Sequence, residues 1–423
     1  MKQDSEHTVV ILGAAYGGRR CAQTLAQILP PGWRLVVIDR NTHFNHAYVF
    51  PRYTVLSVHA PKAFVPYIKS FLPGPFVVES AELTQPVQST QPVQSTQSTQ
   101  HTQPVQSTQY TLSGQNITPA TQPTSNTSPT DDKESCRDVL GEETIHFDYL
   151  VYALGATLPA PVDVWGGELH PQIGHQDEPL GHKIRGVRFM EAQAQVYKKV
   201  KSVIVVGGGA LGIQTATDIK DVYPDKEVTL VHSRAQLLPI YPMEMHEGIL
   251  RNLIKMNIRV ILSERVIEWP LHPGIPSTPN SKTIRTTSGR TLTSDLVLVC
   301  TGQKPATTLM SSLLPESVDE KTGRIRVRPT MQLERIGWEN WFAIGDCAET
   351  GSIQAGHVAW WQGMIAARNV VRLIKGEGNL EVYEKHGPAI KVTLGLNNAI
   401  ISNSDGVRET EEGVEDLHAD MLW

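Results

Sequence analysis

One sequence pattern limits what this chain can fold into: an apolar strand that runs into glycines and then into a helix, met twice. VVILG (9–13) leads into Gly13-Ala14-Ala15-Tyr16-Gly17-Gly18, then RRCAQTLAQIL (19–29) with helical spacing, then a second strand-like run, RLVVIDR (34–40). The pattern recurs about 195 residues on, as SVIVV into Gly207-Gly208-Gly209-Ala210-Leu211-Gly212, a helical run to 223 and EVTLVHSR (227–234). Two βαβ units imply an α/β chain with parallel sheets and right-handed crossovers. Between 258 and 302 the chain becomes β-rich and completes the second unit. WFAIGDCAE (341–349), a long helix from about Gly356 to Ile374 and a short β-like tail (389–402) follow.

The glycines have distinct physical jobs. In a dinucleotide fold the first makes the tight turn, the second lets backbone amides approach a pyrophosphate, and the third lets helix pack on strand. Gly13 and Gly18 fill the outer places of the first turn, and Ala15 stands in the middle one. Asp39 ends the next strand, where a carboxylate can accept from ribose hydroxyls. The second turn fills all three places with Gly207, Gly209 and Gly212. Its strand-end position is His232, followed by Ser233 and Arg234. No carboxylate there repels a 2′-phosphate and Arg234 could pair with one, so NADPH is admissible beside NADH; a simply solvated Arg234 is the alternative. Two such folds in one chain are most economically explained by FAD in the first and NADH or NADPH as donor in the second. Asp346, at the end of a strand in Gly-Asp, is then expected near the FAD ribityl chain or pyrophosphate.

Other features mostly exclude. Thr84 to Gln109 is low complexity, with QPVQST at 85–90, 91–96 and 103–108. Such composition offsets too little ordering entropy, and 84–143 is expected to be a disordered insert. Lys and Arg number 38 against 43 acids, with no basic block, which argues against a nucleic-acid partner. The 4 cysteines stand far apart, with no CxxC or CxxxxC, so no local redox dithiol and no Cys-only zinc site is expected, and no metal. The start is polar, with Lys2 where N-myristoylation requires a glycine, and no apolar run is long enough to span a bilayer. These features predict a cytoplasmic protein, with contact at the periphery of a membrane or mitochondrion left open.

Together the paired glycine turns, LVYALGATLP (150–159), LVLVCTGQKP (296–305) and WFAIGDCAE resemble two-dinucleotide-fold flavoprotein oxidoreductases. EVTLVHSRAQLLP, ILSERV (261–266) and HAPKAFVPY (59–67) resemble the apoptosis-inducing-factor-like, ferroptosis-suppressor-like branch, related to type II NADH:quinone dehydrogenases. At Leu154 the family's usual Thr is replaced. The resemblance implies an FAD-dependent NAD(P)H oxidoreductase that passes hydride to flavin and on to a quinone-like acceptor. It implies FAD contacts at Gly13, Ala15, Gly17, Gly18, Asp39, Arg40 and Asp346. Lys62 is a candidate cation near the flavin, in catalysis as well as binding, with Arg52 a second flavin-side candidate; a solvated lysine is the alternative for the first. NAD(P)H would be held by Gly207, Gly209, Gly212, His232 and Arg234. The helix from Gly356 could aim its N-terminus at the flavin, with His357, Trp360 and Trp361 nearby or in the core. The expected division is 1–83, 144–185 and 303–375 for the FAD domain, 186–302 for the NAD(P)H domain, and 376–423 as a short C-terminal region whose acidic stretch (405–420) is a solvated or disordered tail. An FAD enzyme that tailors a small metabolite, and a redox-sensing flavoprotein, are the alternative functions.

Overall fold

The computed structural model describes residues 7–67, 76–79, 110–113, 116–119, 145–165, 181–274 and 282–411. Most of the expected 84–143 insert lies outside these. Within it, Tyr110–Ser113 and Asn116–Pro119 pair as an antiparallel hairpin that continues onto Ile145–Phe147. The chain divides into two compact units, 1–40 with 73–155 and 306–384, and 41–72 with 156–305 and 385–423.

The first unit is built on a five-stranded parallel sheet in the order Trp341–Ala343, Tyr149–Tyr152, His7–Leu12, Trp33–Ile38, Phe76–Glu79. Its inner strands are unbroken apolar runs because a parallel sheet is covered on both faces. Val10, Leu12, Val36, Ile38, Leu150 and Trp341 form one buried cluster with Met310, Leu314 and Leu333. The helices Tyr16–Ile28 and Gly356–Ile374 cross closely. A methyl on Gly363 would strike the carbonyl of Gly17, and one on Gly17 would sit 3.0 Å from the carbonyl of Ala359. Small residues at the crossing therefore bring the start of the first helix against the turn of the last.

The second unit has a four-stranded parallel sheet, Arg259–Ile261, Glu227–Val231, Ser202–Val206, Leu296–Val299. One face packs on an antiparallel meander (Val266–Glu268, Lys282–Thr286, Thr291–Ser294) through Ile204, Val231, Ile284 and Leu292. The other face buries the helices Ala210–Val222 and Met243–Lys255 through Val203, Val205, Ile213, Ile219 and Ile249.

Three segments fall to the second unit against expectation. Residues 41–67 belong there because Phe64 lies directly over Gly186 of the Lys183–Lys199 helix, where a methyl would meet its ring at 2.7 Å or less, and because Phe50, Tyr53 and Phe64 share a cluster with Phe189 and Met190. Residues 156–165 and 181–185 belong there too; Val162 and Val164 join the same cluster. The third is the chain from 385, expected as part of a separate C-terminal region (376–423) whose first residues, to 384, stay with the first unit: a three-stranded antiparallel sheet, Ile390–Thr393, Ala399–Asn403 and Gly406–Thr410, puts Val392, Leu394 and Ile400 into the helix-side core. The acidic stretch is thus an ordered edge strand over 406–410, and 412–420 lies outside the described residues.

Candidate functional site

In the first unit the strand ends at Gly13, whose φ of +94° is left-handed and whose missing side chain would meet the Ala153 carbonyl at 2.5 Å. A methyl on Gly18 would collide with the Gly13 carbonyl. These two glycines close the turn. The helix Tyr16–Ile28 then starts with no side-chain cap from Ala15 and no acid in its first turn, so the positive end of its dipole favours an anion there. Ala15, the expected departure, is exposed with φ −78°, a backbone any residue adopts, so its methyl strains nothing. Asp39 is buried and its Oδ2 accepts from the Ala14 amide at 2.6 Å; Arg40 beside it is exposed.

The turn Gly345–Cys347 meets the same helix crossing: methyls built on Gly345 and on Gly17 would both lie 3.3 Å from the Ala359 side chain. Gly345 has φ +75°, and its amide donates to Gln362 Oε1 at 2.7 Å. Burial pushes the Asp346 carboxyl above the ordinary carboxylate range, with Arg324 pulling the other way. A ligand offering hydroxyl donors, as the ribityl chain of FAD does, would relieve that cost. Nearby on the same helix crossing, Arg20 lies over the Trp360 ring at 4.2 Å and donates to the Met364 sulfur at 3.0 Å. Trp360 is thus occupied by Arg20, and Trp361 and His357 are exposed. Gln362 was not foreseen; its one signal is a polar residue inside the apolar run AWWQGMIAA.

The second unit repeats the turn. Gly207 has φ +132° and would meet the Cys300 carbonyl at 2.6 Å, and a methyl on Gly212 would collide with the Gly207 carbonyl. Around Gly209 a methyl would meet nothing within 4 Å, and the helix Ala210–Val222 begins uncapped with no acid in its first turn. That open, amide-lined cradle fits a pyrophosphate. His232 Nδ1 accepts from the Gly208 amide at 3.0 Å, which places the ring proton on Nε2, 3.2 Å from the Gln236 carbonyl. Burial holds this imidazole below its ordinary pKa, and the charges of Arg234 and His246 push the same way. Ser233 and Arg234 are exposed.

Two candidate cations resolve differently. Arg52, expected beside the flavin, is 2 % exposed and committed inside the second unit. It donates to both oxygens of Asp218 (3.2 and 3.1 Å) and to the Gly395 carbonyl (2.7 Å). Its charge is therefore neutralised by a buried carboxylate, and we reassign it from flavin contact to structural ion pair. Lys62 lies half-buried at the end of the 3-10 turn Ser57–Ala63. Cys21, Cys300 and Cys347 are buried free thiols, with burial raising all three above the ordinary range. Among the described residues no helix is long and apolar enough to cross a membrane.

Two phosphate-binding turns on parallel sheets, each with its own helix, define the class: a flavin-dependent enzyme fed by a pyridine nucleotide. The chain belongs to the pyridine nucleotide-disulphide oxidoreductase family, whose profile matches residues 7–363, and it is an FAD-dependent NAD(P)H oxidoreductase. It is 36 % identical over 437 residues to Fe-regulated protein 8 of Mycosarcoma maydis, covering 100 % of this chain and 96 % of that one. It is 29 % identical over 268 residues to ferroptosis suppressor protein 1 of Homo sapiens, covering 62 % and 65 %. Among solved structures, NDH2 from Plasmodium falciparum in complex with NADH shares the fold with a TM-score of 0.65 at 12 % identity, covering 99 % of this chain and 95 % of that one.

Proposed function

We propose that this chain transfers hydride from NAD(P)H to FAD and passes the electrons on to a diffusible quinone-like acceptor. The observation that carries the reading is the pairing of two dinucleotide turns, each closed by its outer glycines, with no CxxC or CxxxxC dithiol in the sequence to receive electrons from the flavin. FAD, when bound, supplies the two-electron carrier.

The chain's own residues bind and orient. Gly13 and Gly18 keep the first turn tight, Gly17 lets the last helix pack against its start, and the amides at Ala15 and Tyr16 are brought toward the FAD pyrophosphate. Asp39 holds the turn through the Ala14 amide, with Arg40 beside it at the ribose end. Asp346, whose charge is disfavoured by burial, accepts from ribityl hydroxyls. Gly207, Gly209 and Gly212 present the second cradle to NAD(P)H. Lys62 is retained as a cation that favours negative charge on the reduced ring. Catalysis then rests on holding donor and acceptor in line more than on protein acids and bases.

Anaerobic mixing of the yellow protein with NADH or NADPH should bleach its visible absorbance within a turnover. A soluble quinone should restore it with steady NAD(P)H consumption. A bleached protein that quinones do not reoxidise, but a particular metabolite does, would replace the quinone by that metabolite.

A further inference from the structure

The two turns of this chain make the same hydrogen bond with different chemistry. The amide of the turn's second residue, Ala14 in one and Gly208 in the other, donates to the residue at the end of the next strand. In the first turn that acceptor is the carboxylate of Asp39. In the second it is the ring of His232. The ring is in close quarters: a methyl on Gly208 would meet His232 Cγ and Leu237 Cδ2 at 2.6 Å. The segment after it folds back on the turn, with the Leu238 amide donating to the Gly208 carbonyl at 3.1 Å and the Leu237 amide to His246 Nδ1 at 3.1 Å. Ser233 and Arg234 are thus carried on a short loop pinned by two imidazoles at the mouth of the dinucleotide cradle.

The charge at that mouth is one-sided. The run 231–237, VHSRAQL, contains no acid. Among the described residues the Arg234 guanidinium has no hydrogen-bond or ion-pair partner, and it is exposed. The neighbouring strand end is joined to this loop by the Ser263 and Glu264 amides, which donate to the carbonyls of Arg234 and His232 at 3.0 Å each. It brings exposed Arg265 and one acid, Glu264. That carboxylate is engaged elsewhere, accepting from the Ser288 amide at 3.3 Å and the Thr287 hydroxyl at 3.5 Å.

We infer that the second fold selects a nucleotide bearing a 2′-phosphate on its adenosine ribose, with Arg234 as the residue that grips the phosphate and His232 as the positioning residue that makes the turn's hydrogen bond without negative charge. The inference rests on the donor role of this fold proposed above. A strand-end carboxylate would make the same bond to Gly208 and repel the phosphate; the neutral ring separates those two effects.

The test is binding without redox chemistry. The FAD-loaded full chain is titrated calorimetrically with 2′,5′-ADP and with 5′-ADP. The wild type should bind 2′,5′-ADP about tenfold or more tightly than 5′-ADP, the worth of one charge-assisted contact. Arg234→Ala, at an exposed position, should lose that preference while binding 5′-ADP as before. His232→Asp should retain the Gly208 bond and reverse the preference. Should His232→Asp lose its fold, Ser233→Glu brings the same charge from an exposed position and should also abolish the preference. Equal affinity of the wild type for the two ligands, or a preference that survives Arg234→Ala, overturns the inference. A wild type that prefers 2′,5′-ADP but is reduced by neither NADH nor NADPH leaves this inference standing and removes the proposed reaction instead.

Discussion

The first and second nucleotide turns share their backbone logic and differ in the side chains between their outer glycines and at the next strand's end. Gly13 and Gly207 are both left-handed and both would strike a carbonyl of the strand alongside, Ala153 at 2.5 Å and Cys300 at 2.6 Å. Gly18 and Gly212 are both forbidden a side chain by the carbonyl of the turn's first glycine. Where backbone meets backbone, then, the two halves have no freedom. They diverge in between, with Ala14, Ala15, Tyr16 and Gly17 against Gly208, Gly209, Ala210 and Leu211, and at the strand end, with Asp39 against His232. Of these, the middle residue and the strand end are the positions proposed above to meet the ligand.

The largest effect should come from breaking each turn separately. Gly18→Ala places a methyl on the Gly13 carbonyl, so the turn must open or the helix must shift. We expect protein that purifies with little or no flavin absorbance. Gly212→Ala makes the matching collision with Gly207. It should keep its yellow colour, yet be reduced by NAD(P)H at least about a hundredfold more slowly, as misplacement by an ångström costs. Flavin content after desalting and anaerobic reduction rate separate the two. If Gly212→Ala also sheds its flavin, the halves are not independent in the way their geometry suggests.

A buried ion pair supplies the next effect. Arg52→Ala leaves the Asp218 carboxylate, 1 % exposed, without its partner; burial already pushes that acid up, and Arg52 is what opposes it. Breaking such a pair from one side costs about 3–5 kcal/mol. Chemical denaturation should show that loss, and Arg52→Met with Asp218→Leu should recover much of it. Flavin retained by the folded Arg52→Ala protein would agree with the assignment of residues 41–67 to the second unit; flavin lost with stability unchanged would return Arg52 to the flavin.

How much of this could be read beforehand follows from the same physics. The two turns were legible because glycines, buried strands and helix starts are local and dictated by backbone sterics. The strand-end acid and its replacement by His232 were legible by position, but not the reach of that ring back to Gly208, which depends on where the loop 232–238 folds. The allegiance of residues 41–67 was hidden, since Arg52 and Asp218 are 166 residues apart. Asp218 did leave a trace, a lone acid on the apolar face of ALGIQTATDIKDV, where buried charge needs a partner. The last strand is hidden in the sequence for a physical reason: Gly406–Thr410 is a sheet edge, and edge strands carry charges that discourage pairing, so its composition imitates a solvated tail.

Acid should act on the two units in opposite senses through a buried imidazole and a half-buried carboxylate. In the second unit His43, 2 % exposed, is held neutral by burial with its pKa near 4, against an ordinary 6.5. Below pH 6.5 the unfolded chain takes up a proton that the folded one refuses, so stability falls as pH drops toward 4 and then levels. At pH 4.5 the wild type should have lost about 2–3 kcal/mol more than His43→Phe, relative to pH 7. In the first unit burial raises Asp346, so the folded form holds a proton longer than the unfolded one and stability falls as pH rises through that range. Urea midpoints at the two pH values measure the His43 part. An identical pH response from His43→Phe would mean that His43 is charged in the fold.

The smallest effect is the most direct comparison, an exchange of the middle residues. Ala15 and Gly209 precede their helices with φ of −78° and −86°, and neither needs a glycine for its backbone. A methyl at Gly209 meets no protein atom within 4 Å, so Gly209→Ala should leave the thermal midpoint of the FAD-loaded protein unchanged. What the methyl does occupy is the space through which amides approach a pyrophosphate. Weakening one such hydrogen bond by about 1 kcal/mol loosens binding about fivefold. Gly209→Ala should therefore raise the dissociation constant for 2′,5′-ADP or 5′-ADP by that factor, and Ala15→Gly should tighten FAD by no more than the same factor. If Ala15→Gly instead loosens FAD, the methyl makes a favourable contact with the ligand, and the first turn has adapted to its alanine where the second is built around open space.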